Sequence, residues 1–406
     1  MESASDSPPS LQIPELLEKI VAFLDDDRAA LRACASSSRM ITFVAQRLLF
    51  RSISFSGKQN ENYISPRRLR TILADSPHLA RYIRRISINL NNKSNADIAR
   101  LGLTHVEDIR VSGIAGGGRN LHKPTLEAVR RVIGLESIRS VQVDGSYRDP
   151  RLLGRLFGEC TPNLGEVEFY MCGVKGIQYD EDLANPPAVK TVRTQLTSLR
   201  LLDSSRMAAW LMERECPFDI SQLVDVDVTG SIEIDGYTHL LLERTRPTIQ
   251  RLGFSMLDIE QGPYLNPTRF PSVTHLTVES PMDYLPKFPP AMAGVDSHNI
   301  ICEIVFTSRG FDERPWASAT EQEWAQELAP MLREFDAALA ALPLPELKRV
   351  EIQVQQKTGD NGGEVDAEVS QTAAHTNISA RRTKASLLKE WLPILVSRGL
   401  LVVTSY

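Results

Sequence analysis

Two hydrophobic patterns divide this chain. Near the start, Ile13 to Phe55 reads IPELLEKIVAFLDDDRAALRACASSSRMITFVAQRLLFRSISF, and its apolar residues recur at helical spacing. Pro14 suits the first turn of a helix, where its missing N–H goes unused. Leu16, Leu17, Ile20, Val21, Phe23 and Leu24 then cover about two-thirds of the circumference of a helix Pro14–Leu24, too much for packing on one neighbour. Asp25-Asp26-Asp27 stops that helix. Leu31 and Cys34 fall on a second short helix from about Arg28, and Ile41, Val44, Ala45, Leu48 and Leu49 share one face of a third, about Met40–Phe50. Three short helices cannot bury that many aliphatic groups among themselves, so the surplus goes to the rest of the chain or to a partner.

From Ile83 onward the pattern changes to apolar, two variable residues, apolar, one variable residue, apolar. It reads Ile83-Ile86-Ile88, Val106-Ile109-Val111, Ile138-Val141-Val143, Leu164-Val167-Phe169 and Leu196-Leu199-Leu201. It continues as Leu223-Val226-Val228, Ile249-Leu252-Phe254, Val273-Leu276-Val278, Ile301-Ile304-Phe306 and Leu347-Val350-Ile352. First positions lie 23, 32, 26, 32, 27, 26, 24, 28 and 46 residues apart, mostly the period of an irregular leucine-rich repeat. Helix-like stretches sit between, at Pro124–Ile133, Arg151–Cys160, Arg206–Arg214 and His239–Thr245. Each unit predicts one short parallel strand and a returning helix, stacked on its neighbours into a continuous core. An ordinary α/β domain, or a pair of them, is the competing architecture.

Both patterns resemble known families. Ile13-Pro14-Glu15-Leu16-Leu17 with Ile20 and Leu24 resembles the Leu-Pro-x-Glu-Leu opening of an F-box, and Arg47-Leu48-Leu49-Phe50-Arg51-Ser52-Ile53 resembles the close of fungal F-boxes. The family's usual Val-Ser-Arg stands here as Ser37-Ser38-Arg39, followed by Met40-Ile41. The later units are similar to the degenerate leucine-rich repeats that commonly follow such boxes, without the consensus asparagine. The expected fold class is therefore α/β, a three-helix F-box-like module (residues 11–55) followed by an irregular leucine-rich-repeat-like solenoid (residues 56–406). The resemblance implies docking onto a Skp-type adaptor, and through it a cullin, by Ile13, Pro14, Leu16, Leu17, Ile20, Val21, Leu24, Leu31 and Cys34. The domain behind the box would then select a target protein for ubiquitin transfer by others. A helical cap covering the open end of the next domain, a non-degradative interaction scaffold and an α/β enzyme remain as alternatives.

Further elements complete the order. Residues 1–10 read as a disordered polar tail. Ser65-Pro66 opens a helix that Asp75-Ser76-Pro77 ends. An insertion at 308–345 contains Thr320-Glu321-Gln322-Glu323, a capping box, followed by Trp324, Leu328, Met331, Leu332, Phe335, Leu339 and Leu342 at helical spacing. Residues 356–382 lack large apolar side chains and read as a mobile loop. A last helix, about Ser386–Ser397, ends at Arg398-Gly399, and Leu400–Val403 forms a closing strand.

Composition narrows the function classes. The chain has 406 residues and a net charge of −5, which gives no general attraction to nucleic acid or to an anionic membrane. The start carries no signal-peptide core, and no apolar run reaches the roughly 20 residues of a span, so cytoplasm or nucleus is the expected compartment. The sequons at Asn92 and Asn377 are then irrelevant. Cys34, Cys160, Cys172, Cys216 and Cys302 are odd in number and widely spaced, as in a reducing compartment. No two of the seven histidines have metal-ligand spacing, and His298 with Cys302 approaches a strand, where residues four apart do not converge. Gly116-Gly117-Gly118 lacks the Lys-Ser/Thr of a phosphate loop. Neither a catalytic residue nor a cofactor is expected.

Arg67, Arg68, Arg70, Arg81, Arg84 and Arg85 form a basic cluster without interleaved aromatics, which reads as a solvated face rather than a nucleic-acid site. The variable strand positions would share the concave side of a solenoid. Among them Glu166, Glu168, Asp225 and Asp227, with Tyr170 and Leu202 as apolar anchors, are the candidate target contacts, fitting a Lys/Arg-rich segment. The competing reading is that these carboxylates are solvated, or paired with Arg200 and Arg251.

Overall fold

All ten apolar triplets become strands of one parallel sheet in the computed structural model. The structure describes the chain apart from residues 1–12, 26, 38, 57–62, 114–121, 146–149, 173–192, 205–206, 214–215, 230–235, 257–268, 293, 296–297, 309–320, 355–386 and 406. The tail at 1–10, the capping-box Thr320 and the loop at 356–382 lie outside the described residues.

Three helices come first, α1 (Ile13–Ala22), α2 (Arg28–Ser37) and α3 (Arg39–Arg51). The strands are β1 (Ser52–Phe55), β2 (Arg85–Asn89), β3 (Asp108–Ser112), β4 (Ser140–Asp144), β5 (Glu166–Tyr170), β6 (Thr194–Gln195), β7 (Ser198–Leu202), β8 (Phe218–Asp219), β9 (Asp225–Asp227), β10 (Arg251–Ser255), β11 (His275–Glu279), β12 (Glu303–Ser308), β13 (Arg349–Val354) and β14 (Leu401–Ser405). Twelve form the sheet in chain order, and β6 with β8 makes a separate two-stranded pair. Helices and 3₁₀ turns fill the connections, among them α4 (Pro66–Asp75) and α5 (Lys123–Ile133). The chain divides into two compact units. One comprises Met1–Glu168, Val174–Gln195 and Glu215–Phe218, the other Phe169–Gly173, Leu196–Arg214 and Asp219–Tyr406.

Register explains why the triplets recur. In the first unit the second triplet positions Ile86, Ile109 and Val141 pair across strands, with Ile53 of β1 extending the row. In the second they run Leu199, Val226, Leu252, Leu276, Ile304 and Val350, with Leu401 of β14 extending the row. All but Leu401, on the last strand, are buried. Each buried aliphatic side chain contributes about 1.5–3 kcal/mol, so the stacked rows are the main driving force. Alternate residues face the other way and are mostly polar, because successive strand side chains point to opposite faces.

A second periodic feature marks the strand ends. The residue directly after β3, β4, β5 and β7 has positive φ each time: Gly113 at 94°, Gly145 at 119°, Met171 at 51° and Asp203 at 51°. Four strands of the sheet are thus each followed by a residue of positive φ. Glycine adopts this conformation freely, and methionine does so against a steric penalty.

Two differences from expectation stand out. The sheet begins at Ser52, inside the stretch read as the close of the box, because Ile53 and Phe55 are buried and pair with Ile86 and Ile88. The helix expected over Ser386–Ser397 is broken into residues 387–391 and Pro393–Ser397. Pro393 disfavours helical geometry in the residue before it, and Leu392 sits at φ −119°, ψ 56°. The insertion helix, Glu321–Ala341, contains Pro330 and still buries Leu328, Leu332, Phe335 and Leu339. Gly399 behaves as expected. At φ 69° it closes the last helix, with its own N–H donating to Val396 O and that of Leu400 to Leu395 O.

Candidate functional site: an exposed helix stripe and the polar face of the sheet

The first candidate surface is α1. Val21, Leu31, Val44, Ala45 and Leu49 form the core of the three helices, with Leu24, Cys34, Ile41 and Leu48 packed against it. Asp27, last of the acidic triplet, is the N-cap of α2, its Oδ1 accepting from Ala30 N at 2.8 Å. Arg28 Nη2 donates to Leu49 O at 3.0 Å, and Arg47 pairs with Glu18 at 3.2 Å. These contacts fix which side of α1 faces inward. The outward side carries Leu16 (45% exposed) and Ile20 (51%), and Phe23 (90%) follows in the turn directly after the helix.

The expected docking residues therefore separate. Leu16 and Ile20 are on the open surface, Leu17 is half-buried, and Phe23 joins them although it was not among the expected contacts. Val21 and Leu31 are inside the core, and Leu24 and Cys34 line it, so these four support the helices rather than offering contact area. Ile13 and Pro14 begin α1, and their side chains lie outside the described ones. On its other flank α3 packs on the turn Pro77–Tyr82, where Phe43 meets Tyr82 edge-on at 5.6 Å, and then runs directly into β1.

The second surface is the polar face of the sheet. Glu166 and Glu168 belong to the first compact unit, while Tyr170, Leu202, Asp225 and Asp227 belong to the second. Glu168 accepts from Gln142 at 3.0 Å. Asp144, the carboxylate ending β4, is bound by Arg110 at 2.6 Å. Asp225 pairs with Arg251 at 3.0 Å, and Asp227 accepts from the backbone N–H of Thr229 at 3.0 Å. The candidate acidic surface is thus partly neutralised by cross-strand partners, as the competing reading held for Arg251. Tyr170 and Leu202 are half-buried. Met171, which the sequence pattern gave no reason to select, projects 57% exposed from its left-handed corner.

The densest polar network lies further along, on β11 to β14. His275 Nε2 lies 3.4 Å from Glu303, Glu303 lies 3.4 Å from Arg349, and Arg349 binds Glu351. Glu351 also accepts from Gln353 at 2.9 Å and Thr404 at 2.6 Å. Burial alone would push the Glu351 carboxyl up. Donors from Thr404, Gln353 and Arg349, with the Arg349 charge, outweigh it and hold the group below the usual carboxylate range. A carboxylate kept ionised by three neighbours fastens β13 to β14 and is poorly suited to proton transfer. Extending the alternation rule past Glu279 into β12 and β13 would have found this network.

Among the described residues no three His, Cys, Asp or Glu side chains converge as a metal site. No helix among them is long and apolar enough to cross a membrane. No protein-family model and no curated protein matches the chain.

Proposed function

We propose that this chain is a substrate-recognition subunit of a Skp–cullin–F-box ubiquitin ligase, non-enzymatic itself and working in cytoplasm or nucleus. The observation that carries the reading is the exposed pair Leu16 and Ile20, continued by Phe23 in the turn that follows, on a helix whose opposite side is locked into a small core. An apolar stripe of that spacing is suited to lying against a partner helix. In this reading the stripe docks the Skp-type adaptor, and the leucine-rich-repeat-like units behind it hold the target. The stacked triplets and the repeated left-handed corner support the repeat assignment. Tyr170, Met171 and Leu202, with Asp227, are the preferred target contacts within the second unit. Glu166 and Glu168 stay candidates in the first.

The alternative favoured by a specific observation is a helical cap, since α3 packs on Pro77–Tyr82 and feeds β1. The deciding experiment is co-purification of a Skp-type adaptor with the wild-type chain, Ile20→Asp and Phe23→Asp. Both residues are exposed, so the variants fold, and adaptor capture is expected to be lost in each. Capture that survives both substitutions leaves the cap reading in place.

A further inference from the structure

Charge is distributed very unevenly along this chain. Residues 28–85 hold twelve of the 46 Lys and Arg and two of the 51 Asp and Glu, a net of +10 inside a chain of net −5. Among the described residues of this stretch, three arginines are seen in ion pairs. Elsewhere in the sheet the structure repeatedly sets an arginine against a carboxylate, as in Arg110 with Asp144, Arg251 with Asp225, and Arg349 with Glu303. Within 28–85 the same holds for Arg47, Arg84 and Arg85, paired with Glu18, Glu107 and Asp108. Arg81 is held by Tyr82, whose hydroxyl accepts from it at 2.9 Å.

Helix α4 is different. Leu69 and Leu73 are buried, and Ser65 caps the helix through its hydroxyl, which accepts from Arg68 N at 3.3 Å. Arg67, Arg68 and Arg70 stand on the opposite side, all exposed. At 100° per residue they span less than half the circumference, so three guanidinium groups share one outward face. None has a side-chain hydrogen bond or an ion pair among the described residues.

We propose that the outer face of α4, formed by Arg67, Arg68 and Arg70, is a docking surface for a short acidic protein segment. Charge complementarity selects the partner. Arg67 and Arg70, three residues apart, are neighbours on the helix and repel one another, and an anionic partner relieves that repulsion and accepts the forked donors of all three arginines. A protein segment fits better than nucleic acid for two reasons. The helix carries no aromatic residue on which a base could stack, and single strands rely on such platforms. A long polyanion would also run beyond a helix of about 15 Å and meet a chain that is otherwise net negative. A short run of Asp, Glu or phosphorylated side chains covers the helix and stops. The inference does not rest on adaptor docking, which uses α1.

The test uses the full chain and labelled probes of matched length: a poly-Glu peptide, a Ser-containing peptide with and without phosphates, and a single-stranded RNA. Binding is followed by fluorescence anisotropy at low and physiological salt. The wild type is expected to bind poly-Glu and the phosphorylated peptide in a salt-sensitive manner, and the unphosphorylated one not at all. Arg67→Gln, Arg68→Gln and Arg70→Gln together are expected to weaken that binding about tenfold. The control Arg333→Gln, Lys348→Gln and Lys389→Gln removes the same charge from exposed positions and is expected to bind like wild type. Circular dichroism establishes that both variants fold. Equal weakening in the two variants overturns the proposal by reducing the effect to net charge. So does RNA that binds at least as tightly as the acidic peptides, or binding that is intact in the α4 variant. Ile20→Asp is expected to leave poly-Glu binding unchanged, which separates failure here from failure of adaptor docking.

Discussion

Helix α1 and the strands of the sheet treat their aliphatic residues in opposite ways. On the strands nearly every residue of the repeated triplets is buried, the rows from Ile53 to Val141 and from Leu199 to Val350 included. On α1 the side chain next to a fully committed one is left in solvent. Val21 is 2% exposed and Ile20 51%. A sheet strand has neighbours on both sides and helices over its apolar face, so its core closes within the chain. A ten-residue helix lying on two others has only one side covered. Three of the nine large hydrophobic side chains exposed among the described residues, Leu16, Ile20 and Phe23, fall within eight residues along α1 and the turn after it, and that is where binding of another protein is most economically placed.

The largest effects are expected where the sheet core is broken. Phe306 lies edge-on to Phe288 at 5.1 Å and to Phe335 at 5.3 Å, inside the second unit. Phe306→Ala should lower stability to urea by about 3–5 kcal/mol. A loss under about 1 kcal/mol would mean that the strand rows do not carry the second unit.

Next comes a buried carboxylate. Asp336, on the helix Glu321–Ala341, accepts from the N–H groups of Ile394 (2.7 Å) and Leu395 (3.0 Å). It caps the helix Pro393–Ser397, whose own N-cap position is Leu392. Asp336→Ala leaves two donors unpaired and should cost about 2–4 kcal/mol. Hydrogen exchange at Leu395 should accelerate before global unfolding. Protection equal to wild type would show that water replaces the cap.

The contrast within α1 gives a sharper, smaller test. Val21→Ala should cost about 2 kcal/mol by leaving a small cavity, and Ile20→Ala should stay within about 0.5 kcal/mol. In adaptor capture the order is expected to reverse, with Ile20→Ala the more damaging. If both substitutions destabilise equally, Ile20 is covered by the chain itself and the stripe is part of the fold.

These pairs also show how far the sequence could be read. The triplets located ten of the twelve main strands, and the closing strand followed from Leu400–Val403, because a period-two pattern must bury one face wherever it occurs. The strand at Ser52–Phe55 was hidden. Its Ser-Ile-Ser-Phe alternation is too short to stand out behind a helix whose resemblance claimed the same residues. The docking surface was legible only as a surplus. Two-thirds of an apolar circumference says that something is exposed, but separating Ile20 from Val21 requires knowing where α2 and α3 lie. The polar face was legible as positions and not as charges. Alternation selected Asp225, while its neutralisation by Arg251 depends on a register between strands 26 residues apart.

Glu351 offers a smaller effect with a definite sign. Its carboxyl is held below the usual range in the folded chain, so its contribution is fully present above the unfolded value. It fades as pH falls through the lower folded value. Stability of the wild type should therefore decline on acidification below about pH 4.5, and Glu351→Gln should flatten that decline while lowering stability at neutral pH. Parallel curves for the two proteins would remove Glu351 from the acid response.

The smallest effect tests whether the left-handed corners are equivalent. At Gly113 an added Cβ would run into the Asn89 side-chain amide, and φ is already 94°, so Gly113→Ala must be destabilising. Met171 occupies the same corner with φ 51° while its side chain is mostly in solvent. Glycine there relieves the left-handed penalty of about 1 kcal/mol, and the greater freedom of the unfolded chain offsets part of the gain. Met171→Gly should thus leave stability unchanged or raise it by less than about 1 kcal/mol. A loss greater than that would mean that the methionine packs on its own fold. If stability holds and target capture falls, the strained corner is kept for what Met171 presents outward.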